Sequence, residues 1–419
     1  MTSLKHMRST VAALWTGNLF APFLMSGVAA ILPAIGLDLG ASAVALSLIM
    51  VGYNLGQTLS NMLSGRICTM FGTKRILLLG IGLFCMFSFL MGLAPSMGAV
   101  IPIRFVQGIA AGIISCAVTT LSVTIAPSEK RGQIISITVS AVYLGLAIGP
   151  MVCGGIAELA GWRMIFFMVA SAALCEFFLL KKLIPAQQSD RGHGFDIMNG
   201  VLGCISLFLI SIGSTCTFFH PAVILLLPAG LGVLILFIRR EWLSAFPILD
   251  LRVLAKAPGL PDGMLATFIN YGSFQGLPLF FSLYLQQVLQ MNAWTAGLVL
   301  MGQTLFQTFL SPIAGKLADK YNPGLIATIG MAVTSSSIYS LALLDQASPL
   351  WQVMLSQAFL GTGAALFAAP NMASTLGNVP REELPVASGL LGCLRTLGGL
   401  MSHIIMSCTI ALFMGDAGV

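Results

Sequence analysis

Long apolar runs, separated by short polar breaks, constrain the fold of this chain more than any other feature of its sequence. A membrane-spanning helix needs about 20 mostly apolar residues, and the chain contains about thirteen such runs. Hydrophobic residues make up 57% of its 419 residues and charged residues only 8%, whereas charged residues form about a quarter of an ordinary soluble domain. The pattern therefore predicts an all-α protein embedded in a lipid bilayer.

The runs leave no gap longer than about 30 residues, so no separate soluble domain is expected. They lie at about 11–33, 44–64, 76–94, 98–125, 133–155, 164–181, 197–217, 221–238, 263–286, 293–315, 324–344, 350–371 and 387–414.

The cationic residues are distributed unevenly around these runs. If the N-terminus is cytoplasmic, most of the 20 Lys and Arg residues fall on the cytoplasmic side, while Arg163 falls outside and Arg104 and Arg395 lie within runs. This bias predicts a cytoplasmic N-terminus in the cell (inner) membrane. The net charge of +6 then reflects membrane topology rather than nucleic-acid binding. The first run, of about 23 residues, exceeds the apolar region of a signal peptide and is predicted to be retained.

No pattern typical of a cofactor or metal site is present. Most of the nine cysteines lie inside apolar runs without CxxC or Cys/His spacing, which argues against a disulfide framework and a metal site. The sequence has no GxxxxGK[ST] loop and no HExxH motif, so we expect no cofactor and no direct use of ATP.

A polar break of similar sequence occurs in each half of the chain. The first reads GRICTMFGTKR and the second GKLADKYNPG. Both resemble the G-x-L-x-D-[RK]-x-G-[RK]-[RK] loop that joins the second and third membrane helices in each half of the major facilitator superfamily. The matching residues are Gly65, Gly72, Lys74, Arg75, Gly315, Leu317, Asp319 and Lys320. Thr69 stands where the first copy would carry its aspartate.

Two segments of the N-terminal half resemble further motifs of this superfamily. Arg104 and Gln107, in RFVQG, match a fourth-helix motif whose arginine is linked to proton transfer. The fifth run contains GLAIGPMVCGG, with Gly145, Gly149 and Pro150, and resembles the motif associated with antiporters. A snorkelling arginine and plain close helix contact are the alternative interpretations.

The resemblance implies a major facilitator fold: two six-helix bundles of inverted repeats, a two-helix insertion and a central cavity that opens alternately to each side. The N-terminal bundle would span 11–182, the inserted pair 196–239, and the C-terminal bundle 261–415, with five helices seen. Arg395, in RTLGG, resembles a pattern in the thirteenth helix of fourteen-helix drug:proton antiporters. The chain is therefore expected to lack the last helix of that family and to end outside the cytoplasm.

Two carboxylates of that family are replaced here, which brings ordinary proton coupling into question. Leu24 stands where the first helix usually carries an aspartate, and Thr69 is the second replacement. The remaining candidates to carry a proton are Glu176, Asp262 and His403. Their alternative roles are, respectively, a snorkelling ion pair with Lys181, a helix cap and a packing residue.

Polar side chains inside the apolar runs usually face the interior of a helix bundle, where they line a cavity or bond a neighbouring helix. The candidates to line a substrate cavity are Asn54, Gln57, Asn270, Gln275 and Gln303. Structural hydrogen bonds between helices are the alternative.

These features predict a secondary transporter that exports small amphipathic or toxic compounds and is driven by a proton gradient. Its expected partners are a small-molecule substrate, protons and the lipid bilayer, and the chain is expected to act as a monomer. A facilitator or symporter for a specific small solute stays open. From another class, a non-transporting membrane sensor or a membrane-embedded enzyme also stays open, although no catalytic constellation is found.

Overall fold

The computed structural model describes residues 2–41, 43–184, 197–215, 223, 225–244, 247, 259–278, 281, 284–291, 293–345 and 348–414. Within these residues the secondary structure is helical. The α-helices are α1 Thr2–Gly17, α2 Phe20–Leu39, α3 Ala43–Phe71, α4 Thr73–Gly92, α5 Met97–Ile125, α6 Arg131–Ala160, α7 Trp162–Leu183, α8 Ile197–Thr215, α9 Leu226–Leu243, α10 Leu260–Phe274, α11 Ala293–Lys320, α12 Pro323–Ala342, α13 Leu350–Gly377 and α14 Leu384–Met414. A short 3₁₀ turn, Ser128–Lys130, precedes α6, and a π turn, Tyr284–Val288, precedes α11.

Helices that are long and apolar enough to cross a bilayer are present, as the sequence predicted. A rise of 1.5 Å per residue requires about 20 residues to cross a hydrocarbon core of about 30 Å. Eight segments of the described chain meet criteria of length and hydropathy for a membrane span. They are Ser9–Leu32, Thr73–Gly92, Met97–Ile125, Arg131–Ala160, Trp162–Leu183, Gly297–Lys320, Pro323–Ala342 and Leu350–Gly377.

The first predicted run is two helices rather than one. Helix α1 ends at Gly17, the backbone turns at Asn18 and Leu19, and α2 begins at Phe20. Pro22 explains the break, because it has no backbone N–H to bond the carbonyl group of Asn18. At the same break, the Asn18 side chain donates from Nδ2 to the Thr138 carbonyl oxygen on α6, at 2.9 Å.

Both polar breaks are shorter than the sequence indicated. Helix α3 continues to Phe71, and only Gly72, with a φ of 87°, separates it from α4. A positive φ is accessible to glycine at little cost, so this residue alone can redirect the chain. At the second break, α11 continues to Lys320 and Asn322 caps α12 by accepting from the Gly324 N–H group at 2.9 Å.

The helices form an N-terminal half, α1–α7, and a C-terminal half, α10–α14, which meet along α6 and α11 and along α3 and α14. A large apolar core inside the N-terminal half reaches from Ala13 to Ile184. The pair α8 and α9 is joined by a 3.0 Å bond between Asn199 and Glu241, and α8 lies against α3 and α14. The end of the molecule that carries Lys74, Arg131, Lys316 and Lys320 is called the basic end below.

Candidate functional site

At the basic end, one carboxylate of the C-terminal half holds the start of a helix in the N-terminal half. The Gly132 N–H group donates to Asp319 Oδ1 at 2.6 Å, and the Gln133 N–H group donates to Oδ2 at 2.8 Å. These N–H groups belong to the first turn of α6, where no intrahelical acceptor is available and the helix dipole favours a negative charge. Asp319 therefore fastens the two halves together, and we name this contact the Asp319 latch.

A second link lies beside the latch. The Arg131 guanidinium donates from Nη1 to the Gly377 carbonyl oxygen at the end of α13, at 2.9 Å. Lys320, which the sequence grouped with Asp319, is exposed and places Nζ 5.4 Å from the centre of the Tyr321 ring in its own half.

Two glycines allow the halves to approach at the basic end. A Cβ atom added at Gly315 would lie 2.5 Å from the Gly132 carbonyl oxygen. One added at Gly65 would lie 2.5 Å from the Pro385 carbonyl oxygen and 2.6 Å from Val386 Cα. Contacts below 3.0 Å require backbone movement, so larger side chains at Gly65 and Gly315 would push the halves apart.

Midway along the interface, polar side chains from both halves meet. Arg395 of α14 donates from Nη2 to the Ser115 hydroxyl oxygen of α5 at 3.0 Å. The buried Tyr143 of α6 lies near Tyr271 of α10 and near Arg395, close enough for both to act on its hydroxyl group electrostatically. The sequence motif indicated Arg395. Ser115 and Tyr143 could not be identified in the same way, because they lie in apolar helices and belong to no recognisable motif.

The glycines of the antiporter-like motif form a close contact between α2 and α6. A Cβ atom at Gly149 would lie 2.6 Å from the Phe23 carbonyl oxygen, and one at Gly145 would lie 2.8 Å from the Leu19 carbonyl oxygen. Ser26 donates to the Gly145 carbonyl oxygen at 3.3 Å. We name this contact the α2–α6 seam.

The rest of the same motif is packed less tightly. Pro150 lies inside α6, directly after the seam, and removes one backbone hydrogen bond there. A Cβ added at Gly154 or Gly155 would have no atom of another helix within 4 Å among the described residues. The steric demand of the motif is therefore concentrated at the two seam glycines.

Arg104 is enclosed within the N-terminal half rather than snorkelling towards the surface. Its side chain is 0% exposed and lies 4.4 Å from the centre of the Tyr53 ring. Its Nη1 atom donates to Gln107 Oε1 at 3.1 Å, and Gln107 Nε2 donates to the Ser88 hydroxyl oxygen at 3.0 Å. In the described chain no carboxylate forms an ion pair with Arg104. Leu24, where the resemblance implies an aspartate, is itself buried in the apolar core.

Glu176 is likewise buried, with 5% of its surface exposed. Thr16, in the last turn of α1, donates from its hydroxyl to Glu176 Oε2 at 2.8 Å. Oε1 has no hydrogen-bond partner among the described atoms. The alternative ion pair between Glu176 and Lys181 is absent from the ion pairs formed by the described residues.

The two other candidates to carry a proton differ from Glu176. Asp262 is exposed and lies in the first turn of α10, whose N-cap is Gly259. Its carboxylate faces the positive end of the helix dipole without acting as the N-cap. The His403 side chain lies outside the described part of the structure.

The five predicted cavity residues are spread over several helices. Asn54 and Gln57 are half-buried on α3, Asn270 and Gln303 are buried on α10 and α11, and Gln275 follows α10. A Cβ at Gly399 of α14 would contact the Gln275 side chain at 3.0 Å. An apolar cleft between α4 and α7 contains none of these five residues. Its lining residues are Leu78, Leu79, Gly82, Leu83, Met86 and Phe177.

At the end opposite the basic end, an ion pair ties α2 to α7. The Arg163 guanidinium bonds Asp38 Oδ2, and Trp162 Nε1 donates to the same oxygen at 3.2 Å. Hydrogen bonds from Arg163 and Trp162 hold the pKa of the Asp38 carboxyl below its ordinary value. Among the described residues, no cluster of three or more His, Cys, Asp or Glu is arranged to hold a metal ion.

Similar proteins are transporters. The chain is 28% identical over 375 residues to the multidrug export protein EmrB of Haemophilus influenzae, a match that covers 88% of this chain and 73% of the relative. It is 26% identical to the riboflavin transporter RibZ of Clostridioides difficile, over 87% of this chain and 80% of the relative. The human organic anion transporter MFSD10 has a similar fold, with a TM-score of 0.72 over 97% of this chain and 94% of that one at 16% identity.

Residues 14–248 and 263–414 match the model of the Major Facilitator Superfamily. These two segments cover most of the chain and include both halves of the interface described above. The chain therefore belongs to the Major Facilitator Superfamily, and it is a transporter rather than an enzyme.

Proposed function

We propose that this transporter exports small amphipathic or toxic compounds by alternating access, in exchange for protons. The observation that carries the proposal is the α2–α6 seam. Gly145 and Gly149 belong to the motif that resembles that of antiporters, and α2 lies so close to both that neither position has room for a Cβ atom. The relative named as a multidrug export protein supports the same direction of transport.

Alternating access requires contacts between the halves that break and re-form. The Asp319 latch, the link from Arg131 to Gly377 and the bond from Arg395 to Ser115 are such contacts. They run from the middle of the interface to the basic end, so this conformation is closed there. We propose that the basic end faces the cytoplasm, with the N-terminus on the same side of the inner membrane, and that the transporter acts as a monomer of the drug:proton antiporter type.

A facilitator or symporter for a specific small solute is the second candidate. Leu24 supports it, because an apolar side chain in the core of the N-terminal half cannot carry a proton. The relative named as a riboflavin transporter shows that a specific solute is compatible with a similar sequence.

An accumulation experiment separates the two candidates. Cells that lack their own exporters would produce the protein and be loaded with ethidium, tetraphenylphosphonium or riboflavin, with and without a protonophore. Export predicts lower accumulation of at least one probe, and proton coupling predicts that the protonophore abolishes the difference. Transport that persists unchanged with the protonophore would contradict proton coupling and favour a facilitator.

The seam itself is tested by Gly149→Leu. The added side chain would collide with the Phe23 carbonyl oxygen, so we expect transport to be lost while membrane insertion is retained. Gly155→Leu is the matched control on the same helix, because its added Cβ has no atom of another described helix within 4 Å. Equal export by both variants at equal membrane abundance would remove the seam as support for the proposal.

A further inference from the structure

We infer that Glu176 is the proton-carrying group of this transporter and that its proton is held against Thr16 at the break in the first membrane span. The inference rests on the proton-coupled export proposed above, and it assigns the coupling step to a carboxyl that faces α1.

The Thr16 hydroxyl has a single proton and more than one acceptor. Its Oγ1 atom lies 2.8 Å from Glu176 Oε2, 3.0 Å from the Ala13 carbonyl oxygen and 3.3 Å from the Ala12 carbonyl oxygen. A hydroxyl can donate one hydrogen bond while also accepting others. The direction of the bond between Thr16 and Glu176 therefore depends on which of them carries the proton.

With Glu176 protonated, hydrogen bonds run from the carboxyl group through Thr16 to the backbone of α1, and Oε1 is a neutral oxygen without a donor among the described atoms. The carboxyl O–H donates to Thr16 Oγ1, and the Thr16 hydroxyl donates to the Ala13 carbonyl oxygen. With Glu176 ionised, Thr16 must turn to the carboxylate, and Oε1 is left buried without a donor. A buried oxygen without a donor costs more when it carries a charge than when it is neutral, so this geometry favours the neutral carboxyl group.

Among the described side chains, no ion pair offsets the charge of an ionised Glu176. Helices α1, α2, α4 and α6 lie against α7. The ionisable groups of these five helices are Lys5, His6, Arg8, Asp38, Lys74, Arg75, Cys85, Arg131, Tyr143, Cys153, Glu158, Arg163, Cys175, Lys181 and Lys182. The side chains of Lys5, His6 and Arg8 lie outside the described part of the structure. Among the described groups of these helices, Arg163 forms an ion pair with Asp38. Lys74 is bonded to the Ile184 carbonyl oxygen.

The Glu176 carboxyl group lies next to the break between α1 and α2 and close to the α2–α6 seam. An added Cβ at Gly17, the last residue of α1, would lie 3.5 Å from Glu176 Oε1. Two residues later, the Leu19 carbonyl oxygen is part of the α2–α6 seam. A change in the bond from Thr16 to Glu176 thus acts at the hinge between α1 and α2, immediately before the seam.

The proton step follows from this arrangement. A proton from water binds the Glu176 carboxylate and gives the neutral carboxyl group, which closes α1 against α7. When α1 swings away at Asn18 and Leu19, water reaches Oε1, the proton returns to water, and the carboxylate is hydrated. In this step the Glu176 O–H bond forms and breaks, and the Thr16 hydroxyl reverses its hydrogen bond.

Infrared spectroscopy of the purified protein in lipid tests the proton site without any substrate. A pH step should produce the C=O band of a protonated carboxyl group in the wild type, and Glu176→Gln should lose it. Glu158→Gln, at an exposed carboxylate of α6, is the matched control and should keep it. Thr16→Val should shift the band, because the O–H loses its acceptor, and Thr16→Ser should restore it. A band that survives in Glu176→Gln overturns the inference.

Proteoliposomes test the coupling, with ethidium and riboflavin as probes. We expect Glu176→Gln to lose probe-driven proton movement by about tenfold or more while probe exchange at equal pH continues. Glu176→Asp should restore part of the proton movement. Wild-type proton movement in Glu176→Gln overturns the inference. If the wild-type protein moves neither probe, the export proposal fails for these compounds, and the infrared band still decides whether Glu176 holds the proton.

Discussion

The two polar breaks occupy equivalent places in the two halves, yet only one of them carries a latch. Asp319 lies four residues after Gly315 and bonds the second and third residues of α6, Gly132 and Gln133. Thr69 lies four residues after Gly65, but its hydroxyl donates to the Gly65 carbonyl oxygen of its own helix, at 2.9 Å.

The receiving helices differ as well. The second and third residues of α14 are Pro385 and Val386, which contact Gly65 as Gly132 contacts Gly315. Proline has no N–H group. The first break has therefore lost both the acceptor, at Thr69, and one of the two donors, at Pro385.

The two breaks differ in that close backbone contact between the halves occurs at both, whereas electrostatic attraction between the halves is added at only one of the two breaks. Both breaks keep the glycine that lets backbones approach. Only the second adds hydrogen bonds to a charged group, each of which contributes about 1.5–3 kcal/mol when well shielded from water. Of the two breaks, the second, where α11 meets α6, therefore contributes more to the closed state at the basic end.

Asp319→Ala is expected to have the largest effect on this comparison. It removes both bonds of the latch, and after allowance for partial exposure we expect the closed state to lose about 2–3 kcal/mol, or about 30- to 150-fold in its population relative to the open state. Cys116 reports the change, because its thiol is 2% exposed and donates to the Pro385 carbonyl oxygen across the interface. A water-soluble thiol reagent should alkylate Cys116 correspondingly faster.

Lys316→Ala is the control, since it removes an exposed charge from the same turn of α11 without removing the latch. Alkylation of a Cys116→Ala variant supplies the background from the other cysteines. If Asp319→Ala alkylates no faster than Lys316→Ala, the latch does not hold the closed state.

The sequence predicted the helices and both breaks well, because apolar runs and glycines are local signals. It placed Asp319 and Arg104 in functional motifs but could not identify their partners. The acceptor and donors of the latch are 187 and 186 residues apart in sequence. The significance of Pro385 appears only when the register of α14 against α3 is known.

The break after Gly17 illustrates the same limit. Asn18 and Pro22 lie in an apolar run that reads as one span, and the bond from Asn18 to Thr138 that accompanies the break is tertiary. The burial of Glu176 and the exposure of Asp262 also depend on tertiary contacts, which the sequence does not reveal. Position along a helix gives depth in the membrane, but the face that is covered depends on the neighbouring helices.

Gly65→Ala should have an intermediate effect on the same equilibrium. Its Cβ would meet backbone atoms of Pro385 and Val386, which cannot rotate away as a flexible side chain does. Overpacking of this kind costs about 1–2 kcal/mol, so we expect Cys116 alkylation to rise about 5- to 30-fold. Gly315→Ala should give a rise of similar size, because its Cβ would lie 2.5 Å from the Gly132 carbonyl oxygen and closer still to Ser136 Oγ, and the Asp319 latch does not relieve these contacts.

Gly302→Ala on α11 is the control for these glycines, because its added Cβ has no atom of another described helix within 4 Å. If neither Gly65→Ala nor Gly315→Ala raises Cys116 alkylation above the Gly302→Ala control, these glycines do not determine how closely the halves approach.

Thr69→Asp should have the smallest effect and act in the opposite direction. The new carboxylate would lie near the start of α14, where the helix dipole and the Val386 N–H group favour a negative charge by about 0.3–1 kcal/mol. Because Pro385 cannot donate, we expect alkylation of Cys116 to slow only about two- to fivefold. Thr69→Asn is the uncharged control.

Adding Pro385→Ala to Thr69→Asp supplies the missing donor, so the double variant should slow alkylation of Cys116 by more than the two single changes combined. Purely additive changes would mean that Thr69 and Pro385 do not face each other as Asp319 and Gly132 do.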